Sequence, residues 1–297
     1  MRVAVATCAG EIDPDSDLLL AALGDLGVEA QLCAWDDVSV DWDGFDLTVV
    51  RSTWDYASRR DEFLAWARAV ARLANPYAFI EYSSDKHYLF DLANRGYAVV
   101  DSVVVAVGEA PVFPAGDFVV KPCVGAGSID AERYRAEETE RARAHVASLH
   151  ARARDVLIQP YVRSVDEVGE TALVFIGGEF SHAMTKAAML NVAPTSRDRT
   201  YREERMSRSL APVGARVLAE GVLAEVEAEL ATGPIDAVVP ALTYARVDVV
   251  ATEAGWAVME LELVEPSLFL RYDTAAAPKL AAAIRRRAIA LGAASAT

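Results

Sequence analysis

The sequence predicts an α/β protein, with a small lobe on a parallel sheet followed by two lobes of α+β character. Two observations carry the prediction. The first third alternates short apolar runs with stretches of helical spacing, the pattern of a parallel sheet with crossover helices. The remainder contains strand pairs joined by tight glycine turns, separated by long helices, with no internal repeat and no low-complexity tract.

Each element follows in order. Residues 2–8 form a buried strand, and an apolar helical pattern over 16–27 follows a run of Asp and Ser caps. Strands are predicted at 28–34 and Phe45–Arg51, then a helix over 60–74. A helix over 84–95 leads to strands at 97–106 and 117–122, and an Arg- and Glu-rich helix covers 135–153. Strand 155–161 precedes a hairpin turning at Gly177-Gly178. Residues 188–209 are polar, Arg-rich and weakly patterned, a surface loop or a lid containing Arg197, Arg199 and Arg202. Helix 212–231, strand 241–250, a turn at Glu253–Gly255, strand 256–263 and helix 275–291 complete the chain. The expected lobes are 1–82, 83–160 and 161–297.

The 297 residues are 53% hydrophobic, enough for sizeable cores, and carry 29 basic against 44 acidic residues, a formal charge of −15. That balance argues against nucleic acid or an anionic membrane as the main partner, because phosphate surfaces need a basic face. No apolar run approaches the ~18 residues of a membrane span. The opening MRVAVATCAGEID reads as a strand rather than a signal peptide. Cys8, Cys33 and Cys123 are odd in number and widely spaced, which suits reduced thiols in a cytoplasmic protein. A homodimer is left open, since no residue points to one.

Several chemistries are missing. There is no P-loop, no complete dinucleotide fingerprint around Gly125-Ala126-Gly127, no zinc spacing among the four histidines and no G-x-S-x-G elbow. Only four of the basic residues are lysines, so Lys86, Lys121, Lys186 and Lys279 each need a reason. An apolar strand delivers Lys121, and Gly125, Gly127 and Ser128 follow in a loop whose N–H groups and hydroxyl suit phosphate oxygens. In the hairpin 242–263, period-two alternation puts Tyr244, Arg246 and Asp248 on one face of the first strand and Glu260 and Glu262 on one face of the second. Three clustered carboxylates need a positive centre, and Mg²⁺ shared with phosphate fits hard oxygen donors. A solvated acidic hairpin is the plainer alternative. The strand end Gln159, Tyr161 and Val162, followed by Glu170, could read an adenine edge and hold ribose hydroxyls. Lys186 closes a further strand.

These pieces occur in the order found in the ATP-grasp ligases, and the sequence resembles that superfamily over about 83–270, with the first lobe fitting the one that usually precedes it. The resemblance implies ATP and Mg²⁺. Lys86, in Ser84-Asp85-Lys86-His87, looks like a first nucleotide lysine on a helix, and Lys121 like the second. Gly125, Gly127 and Ser128 resemble the phosphate-covering loop, Gln159 to Val162 the adenine hinge and Glu170 the ribose carboxylate. Lys186 and Arg246 match basic positions facing the terminal phosphate, and Asp248 and Glu260 match metal ligands. Glu262 stands where the family usually has Asn. The implied reaction phosphorylates a carboxylate to an acyl phosphate, which a nitrogen nucleophile then attacks.

The phrases Ser52-Thr53-Trp54-Asp55-Tyr56 and Glu260-Leu261-Glu262-Leu263-Val264-Glu265-Pro266-Ser267-Leu268 are similar to a glutathione-synthetase-like subgroup. That similarity implies an amino-acid-like small-molecule substrate, with closure of O-ureido-D-serine to D-cycloserine as the leading specific reaction. An intermolecular carboxylate–amine ligase and a non-catalytic ATP-binding regulatory protein are the alternatives. Placement alone nominates Arg51, Ser52, Trp54, Asp55 and Ser267 for the substrate side, Arg51 to Asp55 lying beyond the carboxyl end of a strand.

Overall fold

The computed structural model describes residues 1–10, 13–188 and 206–294. Its first unit is a parallel sheet of β1 (Arg2–Thr7), β2 (Glu29–Ala34) and β3 (Leu47–Ser52) in the order β2-β1-β3. The crossovers carry α1 (Ser16–Asp25) before β2, and α2 (Arg60–Ala69) follows β3. β1 and β3 are buried almost throughout, as the continuous apolar runs require.

Helices α3 (Tyr77–Ser83) and α4 (Tyr88–Asn94) lead to an antiparallel sheet. That sheet is built from β4 (Val103–Val105), β5 (Phe118–Pro122), β6 (Glu132–Tyr134) and β7 (Val156–Pro160), in the order β4-β7-β5-β6. Helix α5 (Thr139–His150) covers it through Ala142, Val146 and Leu149. After α6 (Ser164–Val168) comes a second antiparallel sheet, ordered β10-β9-β8-β11-β12. Its strands are β8 (Glu170–Ile176), β9 (Glu179–Lys186), β10 (Met206–Ser209), β11 (Tyr244–Thr252) and β12 (Gly255–Glu262), with α7 (Val213–Leu230) packed against it. Gly177 and Gly178 adopt φ of +62° and +81°, the two left-handed positions of a two-residue hairpin.

Helix α8 (Ala276–Ala294) returns to the first unit. Its Leu280, Ala281 and Ile284 share one apolar core with Leu19 and Leu23 of α1, Val3 of β1 and Val174 of β8. Asn75 joins the same regions, donating to the carbonyls of Tyr244 (2.9 Å) and Leu263 (2.8 Å) and accepting from Thr243 N–H (2.9 Å). The first and last parts of the chain are thus one packed body. Among the described residues no helix is long and apolar enough to cross a membrane, and the three cysteines are buried and unbridged.

Three expectations are corrected. The helix expected over 84–95 begins only at Tyr88, as α4, with 84–87 separating it from α3, and Lys86 N–H donates to the Cys123 carbonyl (3.0 Å) rather than to a helix turn. Lys86 therefore sits between helices, not on one. The strand over 97–106 is only β4, while Val100 and Val258 pair separately through the main chain. In the expected lid loop, residues 206–209 form β10 against β9. Arg197, Arg199 and Arg202 lie outside the described residues.

Candidate active site

The two antiparallel sheets and the ends of the parallel strands surround a cavity of about 330 Å³. The hairpin β11–β12 forms its floor. Arg246 faces Glu262 and Asp248 faces Glu260 in the register, so the four polar side chains share one face as the alternation predicts. The face is buried rather than solvated: Asp248 is 1% exposed and Arg246 3%. This excludes the plain reading of an acidic surface hairpin.

The charges are matched in pairs. Arg246 grips Asp248 with two donors, Nε to Oδ1 at 2.9 Å and Nη2 to Oδ2 at 3.0 Å, and its Nη2 also donates to Glu262. Lys186, ending β9, donates to Asp248 Oδ2 at 2.8 Å and stands 3.6 Å from Glu170. Lys86 Nζ lies 2.9 Å from Glu260 and donates to the Gly125 carbonyl at 3.2 Å. The side chain of Lys121, near the end of β5, makes no hydrogen bond or ion pair among the described residues. Asp248, Glu260 and Glu262 offer oxygens that lie within 4.8 Å of one another. That is a hard, anionic donor set of the kind Mg²⁺ takes.

Burial and neighbouring charge set the protonation. Burial alone would raise the Glu260 carboxyl, but Lys86, Lys121 and Lys186 hold it well below the carboxylate range. Asp248 is lowered in the same way, Arg246 and Lys186 outweighing burial. Glu262 goes the opposite way: burial, with Glu260 and Asp248 beside it, pushes it up to about 8 against the pull of Arg246. Burial depresses Lys121, with Lys86 and Lys186 adding to the effect and Glu260 opposing it. Burial would also depress Lys86, but Glu260 more than compensates. Glu170 is raised by burial despite Lys186. Two carboxylates at consecutive positions of one strand face are thus driven apart, a signature of functional sites.

Backbone geometry shapes the rim. The loop after β5 places Gly125, Gly127 and Ser128 on the cavity wall. Gly127, Ser128 and Asp130 all have positive φ, and at the two non-glycine positions this is strain that surrounding contacts must hold. Arg154 supplies such contacts, bonding Asp130 at 2.9 Å and the Val124 carbonyl. Gly169 has φ +76°, and a Cβ there would lie 2.5 Å from the Lys186 carbonyl, so only glycine lets Glu170 enter β8 beside Lys186.

The remaining nominated residues divide. Tyr161 and Val162 line the cavity, as do Trp54 and Ser267. The Tyr161 ring lies under the Arg133 guanidinium at 3.5 Å. Gln159 borders the cavity, but its amide donates to Ser102 at 2.8 Å. Ser267 contributes its carbonyl, which accepts from Arg246 Nη1 at 3.1 Å. Arg51 stands behind the wall, donating to the Pro266 carbonyl (2.8 Å) and to Asp13 (3.4 Å). Ser52 is fully buried outside the lining, and Asp55 is outside it too, accepting from Trp35 Nε1 at 2.9 Å and Arg59 at 3.4 Å. None of the three placements Arg51, Ser52 and Asp55 brings a side chain to the cavity.

Sequence reasoning passed over Asp13, Asp15, Tyr56, Glu265 and Arg271, all of which border the cavity. Asp15 accepts from Leu270 N–H (2.7 Å) and Arg271 Nε (3.0 Å), tying the start of the chain to the segment after β12. Glu265 stands in a phrase already singled out. Its place just past the strand, where alternation no longer assigns a face, is why it went unassigned.

Known proteins resemble this chain at two levels. Residues 3–75 match the family model of the D-cycloserine synthetase DcsG N-terminal domain. The cycloserine biosynthesis protein DcsG of Streptomyces lavendulae is 38% identical over 290 residues, covering 93% of this chain and 94% of that one. The crystal structure of D-cycloserine synthetase DcsG superposes with a TM-score of 0.85 at 36% identity, covering 97% of this chain and all of that one. A D-alanine–D-alanine ligase from Bacillus anthracis complexed with ATP has a TM-score of 0.65 at 14% identity, covering 97% of each chain, which establishes shared fold alone. With a fold common to the ATP-grasp ligases and sequence identity running through nearly its whole length, the chain belongs to the D-cycloserine synthetase family of ATP-grasp ligases.

Proposed function

We propose that this protein uses ATP to activate the carboxylate of O-ureido-D-serine and closes that acid to D-cycloserine. The observation that carries the reading is the β11–β12 face. Two carboxylates held ionised and a third beside them meet three buried cations, Lys86, Lys186 and Arg246, next to Lys121 and a glycine loop suited to phosphate. Kinship with the cycloserine biosynthesis protein supports the substrate. The lobes 1–82, 83–160 and 161–297 would close around the nucleotide.

The donor set fits Mg²⁺, with Asp248, Glu260 and Glu262 as its holders. When bound, the ion would neutralise charge on the phosphate oxygens. Lys86 and Lys121 hold the α- and β-phosphates. Lys186 and Arg246 face the phosphoryl group in transfer and stabilise its charge. The main chain of Tyr161 and Val162 faces the adenine, and Glu170 the ribose. The carboxylate of the acid takes the phosphoryl group to give an acyl phosphate. The nitrogen bonded to the side-chain oxygen then attacks the acyl carbonyl, and phosphate leaves. Water hydrolyses the carbamoyl group which that nitrogen carries, releasing carbon dioxide and ammonia and leaving the ring N–H free. The matched cations contribute by positioning and charge, which dominate phosphoryl transfer.

Phosphate release by purified protein with ATP and Mg²⁺ tests the reading, with O-ureido-D-serine set beside a panel of amino acids and dipeptides and products identified by mass spectrometry. Release with O-ureido-D-serine and a product of cycloserine mass is the expected result. Release only with another acid–amine pair would keep the ligase chemistry and discard the substrate. Tight ATP binding without turnover on any of them would favour a binding protein.

A further inference from the structure

Six carboxylates and five cationic side chains border the cavity. Among the described residues all but two of them have a counter-charge within ion-pair distance. The exceptions are Lys121, at the nucleotide end on β5, and Glu265, on the segment that follows β12. Lys121 already has a role in holding phosphate. Glu265 has none, although it is 7% exposed and reaches no partner side chain, its carboxyl accepting only from its own main-chain N–H. A bare carboxylate in a low-dielectric wall is costly unless something positive meets it in the working state.

The segment that carries Glu265 is fixed rather than loose. The carbonyls of Leu263, Val264, Pro266 and Ser267 accept from Asn75 (2.8 Å), Tyr244 Oη (3.1 Å), Arg51 (2.8 Å) and Arg246 (3.1 Å). Pro266 further restricts the backbone of Glu265 to extended geometry. The fold therefore holds this carboxylate at the cavity in advance, which is how a specificity group is built. It lies outside the Asp248, Glu260 and Glu262 cluster, so it is not a fourth member of the metal site.

Its charged surroundings indicate the ligand. The Arg246 guanidinium donates to the carbonyl of Ser267, two residues beyond Glu265 (3.1 Å), and borders the same cavity, so a cation stands beside the segment that carries Glu265. An α-amino acid carries its carboxylate and its ammonium on one carbon, so receptors for the two must be neighbours of opposite sign. We propose that Glu265 is the anionic anchor for the ammonium group of the amino-acid substrate, orienting that substrate so that its carboxylate faces Arg246. The inference rests on the proposed function in taking the activated acid to be an amino acid, and it adds the group that selects it.

The test compares wild type with Glu265→Gln, an isosteric change, on matched acids. O-ureido-D-serine is paired with its des-amino counterpart, and each amino acid of the panel with its own. Phosphate release gives kcat and KM, and calorimetry gives ATP–Mg²⁺ affinity. Wild type should prefer the ammonium-bearing acid. E265Q should lose about a hundred-fold in kcat/KM on that acid, mainly through KM. On the des-amino acid it should lose little, and ATP affinity should be unchanged. Glu265→Asp should recover part of the preference. Equal losses on both acids, wild-type kinetics on both, or a weakened ATP site would overturn the anchor. If O-ureido-D-serine is inert while another amino acid is turned over, the substrate proposal fails, and the ratio for that acid still decides the role of Glu265. If no amino acid is turned over, the anchor is overturned with it.

Discussion

At the end of the cavity proposed for phosphate, each carboxylate of the β11–β12 face already holds a cation; at the end proposed for the acid, Glu265 holds none. The difference teaches what each end is built for. Lys86, Lys186 and Arg246 are kept charged and positioned by Glu260, Asp248 and Glu262, the residues whose oxygens also suit Mg²⁺. Their pairing stabilises buried charges while no nucleotide is present, and phosphate would give the cations new partners as the carboxylates turn to the metal. The acid end has no such internal balance and depends on substrate for it.

The largest expected effect breaks the phosphate end. Asp248→Asn removes the carboxylate that both Arg246 and Lys186 hold. Phosphate release should fall by at least ~10²–10³-fold, the scale of a lost charge-stabilising group. Full activity would show that the β11–β12 face is not the reacting site.

Next is the close approach that brings the two strands together. Gly169→Ala must put a Cβ 2.5 Å from the Lys186 carbonyl at φ +76°. Urea unfolding should register a loss of about 2–3 kcal/mol. A change below a few tenths would mean that β8 and β9 have room to part at this point.

A smaller effect concerns acidity. Glu262 is pushed up to about 8 in the folded chain, against an ordinary carboxyl near 4.5. Between those values the folded state binds more protons than the unfolded one, so stability without Mg²⁺ should fall as pH rises from about 4.5 to 8. The slope from this group approaches about 1.4 kcal/mol per pH unit midway between the two values. Glu265, raised to about 7, adds in the same direction. Thermal melts across that range should show the decline, and Glu262→Asn should make it shallower, leaving the part due to Glu265. Turnover by Glu262→Asn should stay within about ten-fold of wild type, because Asn keeps an oxygen donor; complete loss would give the extra charge a role of its own.

Much of this site could be read from residues because alternation is a strong signal on a paired hairpin. Arg246, Asp248, Glu260 and Glu262 fell on one face once the strands were paired, and the scarce Lys86, Lys121 and Lys186 all reached the cavity. The parallel sheet was legible for the same reason, its strands being short apolar runs. What escaped was set by tertiary contact. A main-chain bond to Cys123 holds Lys86 outside α4, and helical spacing cannot foresee such a bond. Ser52 and Asp55 sit next to cavity residues in sequence, yet one is enclosed and the other is taken by Trp35 and Arg59. Glu265 and Asp15 owe their positions to contacts between the two ends of the chain, which no local pattern records.

The most direct test of the central claim is calorimetric titration of ATP into the wild-type protein with and without Mg²⁺. If the β11–β12 carboxylates share the metal with the phosphates, Mg²⁺ should tighten ATP binding by ten-fold or more. Equal affinity with and without the ion would contradict the account.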